Sequence, residues 1–210
     1  LLTITADNDS ICDNSSTQLT AVATGGSGNY TYSWTPADNL DDASSNKPIF
    51  TPGDIEDAYK EYTFVAEVTD EFNNIVTDSV TVTVFDYLDA NAYQDTAVVY
   101  NTAASLKAIV PDGVNADNFI FRWEPDSLLT NPNGMTTETV KLTETAIFTL
   151  TVTNKYFDAC SSSDNVTVTV NGEPLALELS VYNDSICDNS STLLTAVATG
   201  GSGNYTYSWT

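Results

Sequence analysis

Three cysteines, Cys12, Cys160 and Cys187, are the side chains of this sequence able to form a covalent bridge, and its acidic loops are the candidates for holding an ion. The 210 residues contain no histidine, so neither a general base poised near neutral pH nor a paired imidazole metal site can be built. Gly25-Gly26-Ser27-Gly28 is not followed by the Lys-Ser/Thr of a phosphate-cradling loop and reads as a tight turn. Asp41-Asp42 could act as paired carboxylates, but no second partner of fixed geometry accompanies them. The chain is therefore expected not to be an enzyme. Asp38, Asp41, Asp42, Asp54 and Asp57 offer the oxygen donors that Ca2+ prefers, without EF-hand or nonapeptide spacing. No cofactor is expected beyond that calcium alternative. Tyr30, Tyr32 and Trp34 alternate at period two and would suit a sugar-stacking platform or an inward core face. The core reading is preferred, with Trp34 and Trp123 as core tryptophans, because a sandwich needs large inward residues on that strand.

Charge narrows the partners. With 29 acidic residues against 6 basic and a net charge of −23, phosphate backbones and anionic membrane surfaces would be repelled. Neither nucleic acid nor membrane insertion is expected, and no stretch approaches the ~20 apolar residues of a membrane helix. At 41% apolar residues the chain can still build packed cores, so the acidity reads as solvation and self-repulsion of a folded surface.

The elements that would position these residues are repeated. Ser10–Thr35 and Ser185–Thr210 are identical except that Leu193 replaces Gln18, at an offset of 185 − 10 = 175 residues. Such a long-period self-match marks a tandem array, so the chain reads as one full repeat plus the opening of the next. Strand signals dominate, as short alternating runs of Thr, Val, Tyr and Ser between Gly, Asn, Asp and Pro clusters. Expected strands are Leu1–Ala6, Gln18–Thr24, Asn29–Trp34, an edge near Pro48–Thr51, Tyr62–Thr69 and Asp78–Val84. The pattern restarts in diverged form. Ala103–Val110 answers the second strand, Asn118–Trp123 the third, Ala146–Thr153 answers Tyr62–Thr69, and Asn165–Val170 answers Ser79–Val84. The expected fold is all-β, with immunoglobulin-like sandwiches arranged end to end. The expected domains are residues 1–87, a diverged copy at 88–172, and 173–210 as the first strands of a further repeat. The junctions near Phe85–Ala90 and Asn171–Leu175 are short and not Gly/Ser-rich, which favours a semi-rigid rod.

The run LTA…GGSGNYTYSWTP…YTFVAEVTD…SVTVTV resembles the PKD-like immunoglobulin repeats of large secreted proteins. SICDNSST followed by LTA is similar to the repeats of Bacteroidota surface adhesins, including gliding-motility adhesins exported by the type IX system. The resemblance covers the whole chain. It implies a structural repeat of a long adhesin or filament at the surface of a Gram-negative bacterium, acting as stalk or spacer. Its partners would be neighbouring repeats of the same chain, with host or surface glycans bound through other domains. Two alternatives stay open: a glycan- or Ca2+-binding module, and a subunit of a self-assembling extracellular fibre. Five Asp-Ser/Thr triplets resemble the Bacteroidota O-glycosylation acceptor, at Ser10, Ser79, Thr96, Ser127 and Ser185. Relatives often carry a cysteine in both the early loop and the last hairpin, whereas each domain here has one of the two.

Three cysteines leave an odd one, which ordinarily points to a free thiol or an intermolecular bond. The period offers another answer, because Cys187 is Cys12 of the next repeat and would pair outside the chain. In an immunoglobulin-like sandwich, Cys12 would lie at the end facing the following domain, and Cys160 at the end of the second domain facing the preceding one. Pairing Cys160 with Cys187 would ask loops at far ends to come within the ~6 Å Cα separation a disulfide allows. A Cys12–Cys160 bond is the expectation.

Overall fold

The computed structural model describes residues 1–201 and 203–210. They group into two compact units: Leu1–Ala90 with Val110–Phe121 and Thr151–Ser163, and Asn91–Ile109 with Arg122–Leu150 and Asp164–Thr210.

Seven strands build the opening sandwich, and their burial alternates as the period-two pattern requires. β1 (Leu2–Ala6) pairs antiparallel with β3 (Thr17–Ala23), which pairs with the two-residue β5 (Ile49–Phe50). The facing sheet runs β2 (Ser10–Cys12), β7 (Ile75–Phe85), β6 (Tyr59–Asp70), β4 (Tyr30–Thr35). β6 and β7 form the long hairpin, in register from Tyr59↔Phe85 to Thr69↔Ile75. Between the sheets lie Leu19, Phe50, Phe64, Val82 and Val84, all fully buried, with Trp34 at 2% exposure. Phe50 meets Phe64 edge-on at 4.8 Å and Tyr62 at 5.1 Å between ring centroids. Tyr30 and Tyr32 are half-buried against this core, as the core reading of the triplet requires.

The diverged copy follows the same plan. Its main sheet has the order β10 (Phe119–Glu124), β12 (Ala146–Asn154), β13 (Ser161–Asn171), β8 (Thr96–Val99), and β9 (Ser105–Lys107) pairs with β11 (Thr136–Glu138). Trp123, Phe148, Leu150 and Val168 are fully buried. The two tryptophans are held alike: Trp34 Nε1 donates to Ser45 O at 2.8 Å, and Trp123 Nε1 to Gly134 O at 3.1 Å.

Three short strands, β2, β8 and β11, depart from the sequence reading. β2 and β8 each pair parallel with the last strand of their sheet, Cys12 opposite Phe85 and Val99 opposite Asn171. Strands of three and four residues are too short to show a period, so alternation could not announce them. The expected strand Ala103–Val110 also shortens to β9, its ends continuing as the buried Ala104 and Ala108.

Residues 176–199 form a two-stranded antiparallel sheet of β14 (Ala176–Val181) and β15 (Leu194–Thr199). Leu177↔Ala198 repeats the register Leu2↔Ala23 at the 175-residue offset. Its apolar face stays open, with Leu177 at 60% exposure against 9% for Leu2. Trp209, the copy of Trp34, is 55% exposed. Leu2 and Trp34, by contrast, are buried in one cluster with Phe50, Phe64 and Val82.

Candidate functional site around the Cys12–Cys160 bridge

The residues gathered most densely from distant parts of the sequence lie within the first unit. β2 ends at Cys12, and the Asp13 N–H donates to Phe85 O at 3.0 Å, fixing Cys12 beside the end of β7. Cys160 closes the loop from β12 to β13: its N–H donates to Phe157 O at 3.0 Å, and its carbonyl accepts from Asn154 N at 2.9 Å. The two cysteines are joined, with Cα atoms 5.6 Å apart, at a sequence separation of 148. That distance lies within the usual disulfide range. Cys187 is free and exposed.

Aromatic rings pack around the bridge. Phe157 stacks on Phe85 at 4.6 Å and 23°, and Tyr156 meets Tyr59 edge-on at 5.7 Å. These are the offset and T-shaped geometries that ring quadrupoles favour. Beneath them sits Asn154, with no solvent exposure. Its Nδ2 donates to Ala58 O and to Asp86 O, each at 2.9 Å, while its Oδ1 accepts from Tyr156 N at 2.9 Å. Asn118 Nδ2 donates to Glu56 O at 3.2 Å and to Asp86 Oδ2 at 3.0 Å. The two carboxamides thereby tie the Glu56 and Ala58 carbonyls, ahead of β6, to the buried Asp86 after β7.

Carboxylates crowd the same place. Burial pushes the Asp13 carboxyl above the usual carboxylate range; a hydrogen bond from Ile55 N opposes this, and the charges of Asp86 and Asp54 add to the rise. Asp86 is raised chiefly by burial as well, against the hydrogen bond from Asn118, with Asp54 contributing. Among the described residues, no group of three or more His, Cys, Asp or Glu side chains is arranged to hold a metal ion.

The other candidates are dispersed. Asp38 is exposed in the loop after β4. Asp41 Oδ1 accepts from Asp42 N at 2.8 Å and Ile49 N at 2.7 Å, so it shapes its own loop. Asp42 Oδ1 accepts from the Ser44 hydroxyl at 2.6 Å and Ser44 N at 2.9 Å, and those bonds hold its carboxyl below the usual range. Asp54 and Asp57 lie exposed between β5 and β6, and only Asp54 acts on the carboxylates near the bridge. Of the acceptor-like hydroxyls, Ser79, Thr96, Ser127 and Ser185 are exposed and Ser10 is half-buried in β2.

Asn154, Asn118 and the aromatic quartet were not singled out in the sequence. One signal was present. Aligning the two hairpins sets Asn154 against Asp70, and the loop Lys155–Cys160 is two residues longer than Glu71–Asn74. Both side chains accept from the N–H two residues on, Tyr156 and Phe72 respectively. Only the carboxamide also has a donor to offer. The Asp70 carboxylate instead takes the side chain and N–H of Asn74, with Ser27 N, and is held low by them.

No protein-family model matches the chain, and no curated protein matches it. Among solved structures, it is similar to the C-terminal 282-residue fragment of intimin, in complex with the intimin-binding domain of the translocated intimin receptor. That match has a TM-score of 0.52 and 14% identity, over 87% of this chain and 67% of that one. Murine CEACAM1b matches at a TM-score of 0.44 and 10% identity, over 81% of this chain and 99% of that one. The fibronectin(III)-like modules of Clostridium thermocellum CbhA match at 0.33 and 12%, over 80% and 94%. At such identities the intimin likeness speaks for fold and nothing finer, and the other two scores add no argument. The chain is an all-β protein built on immunoglobulin-like sandwich sheets.

Proposed function

We propose that this chain is a structural repeat of a long extracellular adhesin or filament, serving as stalk or spacer. The observation that carries the reading is the 175-residue self-match, preserved down to the strand register of β14–β15. A unit that recurs almost unchanged suits a role that repetition itself performs, such as length. The domain division that goes with it is 1–87, 88–172 and the opening of a further unit from 173. Among the described residues, no helix is long and apolar enough to cross a membrane. The Cys12–Cys160 bond suits an oxidising compartment. The intimin fragment was solved in complex with a receptor domain, which supports an adhesion setting by analogy of fold. The bacterial surface, the type IX route and neighbouring repeats as partners rest on the sequence resemblance.

The rival reading makes each repeat a glycan- or Ca2+-binding module. The stalk reading predicts no saturable binding by this chain in a glycan screen and no shift of its melting temperature with added Ca2+. Saturable binding at micromolar affinity would favour the rival.

The acceptor-like triplets have a place in this reading, as positions for solubilising O-glycans on the stalk. At least one of Ser10, Ser79, Thr96, Ser127 and Ser185 is expected to carry a glycan in material from its native source. Intact-peptide mass spectrometry that finds all five bare would end the idea.

A further inference from the structure

We infer that the Cys12–Cys160 bond is a mechanical shunt, carrying tension past nearly all of one repeat and capping how far the repeat can lengthen when pulled. Connectivity alone sets the load path. Force applied at Leu1 runs along β1 and β2 to the Cys12 sulfur, crosses to Cys160, and leaves through β13. β3 to β12 lie inside the closed loop, and with them Phe50, Phe64, Trp34, Trp123 and Phe148. A covalent bridge does not yield at forces that unravel strands, so the chain between the two cysteines cannot be drawn out while the bond is intact.

The lengths at stake are large. At about 3.3–3.6 Å per extended residue, the 148-residue loop conceals on the order of 500 Å of chain. The segments outside it, Leu1–Ile11 and Ser161–Thr210, can release on the order of 200 Å. The load falls on β1, β2, β13 and the β14–β15 pair. β2 and β13 each lie in a four-stranded sheet, hydrogen-bonded to strands that the loop encloses, β7 for β2 and β12 for β13.

The period extends the device. Cys187 stands where Cys12 stands, 187 − 12 = 175 residues on. In an array of such repeats, only the run from Ser161 to Ile186 would lie outside a loop in each period. That consequence rests on the stalk reading; the shunt in this chain does not.

Single-molecule force spectroscopy on the 210-residue chain, pulled from its two termini, tests the inference. Without reductant, the total gain in contour length should stay on the order of 200 Å. After dithiothreitol, or in Cys160→Ser, it should rise by on the order of 500 Å. Cys187→Ser should leave the oxidised trace unchanged. An oxidised chain that extends as far as the reduced one overturns the shunt, as does an oxidised limit that moves with Cys187→Ser. The oxidised trace of the unaltered chain decides the matter even if Cys160→Ser fails to fold. A short oxidised trace in a protein that proves to bind glycans would leave the shunt standing and remove the stalk.

Discussion

Trp34→Ala lowers the free energy of unfolding by about 3–5 kcal/mol, and Trp123→Ala does the same, because each indole fills the space between two sheets. Both rings are buried, Trp34 at 2% exposure and Trp123 at 0%. Truncation removes the ring from apolar neighbours that cannot collapse far, since the strands on either side are fixed by their ladders. It also takes the donor from Ser45 O in one case and Gly134 O in the other. Losing such a partner adds to the cavity cost. Urea titration of each variant, followed by circular dichroism, measures the effect. A loss below about 1 kcal/mol at either position would mean that the strand is not registered as described. Trp209→Ala is the internal control: its ring is 55% exposed, and the change should be near zero.

Removing the bridge is the second large effect. Closing a loop of 148 residues restricts the unfolded chain strongly, and loop-closure entropy puts the stabilisation at about 4–5 kcal/mol. The double variant Cys12→Ser, Cys160→Ser should therefore unfold at a markedly lower urea concentration. The aromatic contacts of Phe85 with Phe157 and Tyr59 with Tyr156, and the Asn154 hydrogen bonds, remain to hold the region in its native arrangement. The variant should thus stay folded in the absence of denaturant. Cys187→Ser should change nothing, since that thiol is free and exposed. An unchanged midpoint in the double variant would show that the two sulfurs are not bonded in solution.

The strands that carry the core were legible because alternation is a local property. Tyr62, Phe64, Ala66 and Val68 announce one face of β6, as Val80, Val82 and Val84 announce one face of β7, and burial follows both patterns. The repeat was legible because identity over Ser10–Thr35 needs no physics to detect. β2 and β8 were not legible, being too short for any period and paired parallel across a long stretch of chain. The surroundings of the bridge were the hardest part. Asn154 gathers Ala58 and Asp86 from segments 96 and 68 residues away, and nothing near it in sequence marks it as a buried carboxamide. Setting the two hairpins side by side would have shown an asparagine where the other has an aspartate, followed by two adjacent aromatics in a longer loop. Geometry then explains why the donor matters.

The central claim, that the repeat supplies length, is tested most directly by small-angle X-ray scattering from a chain ending at Leu175. On the proposed division at 1–87 and 88–172, the stalk reading expects a maximum dimension about twice that of a single sandwich, with the skewed distance distribution of a rod. A symmetric distribution, with a maximum dimension close to that of one globular domain of the same mass, would contradict it.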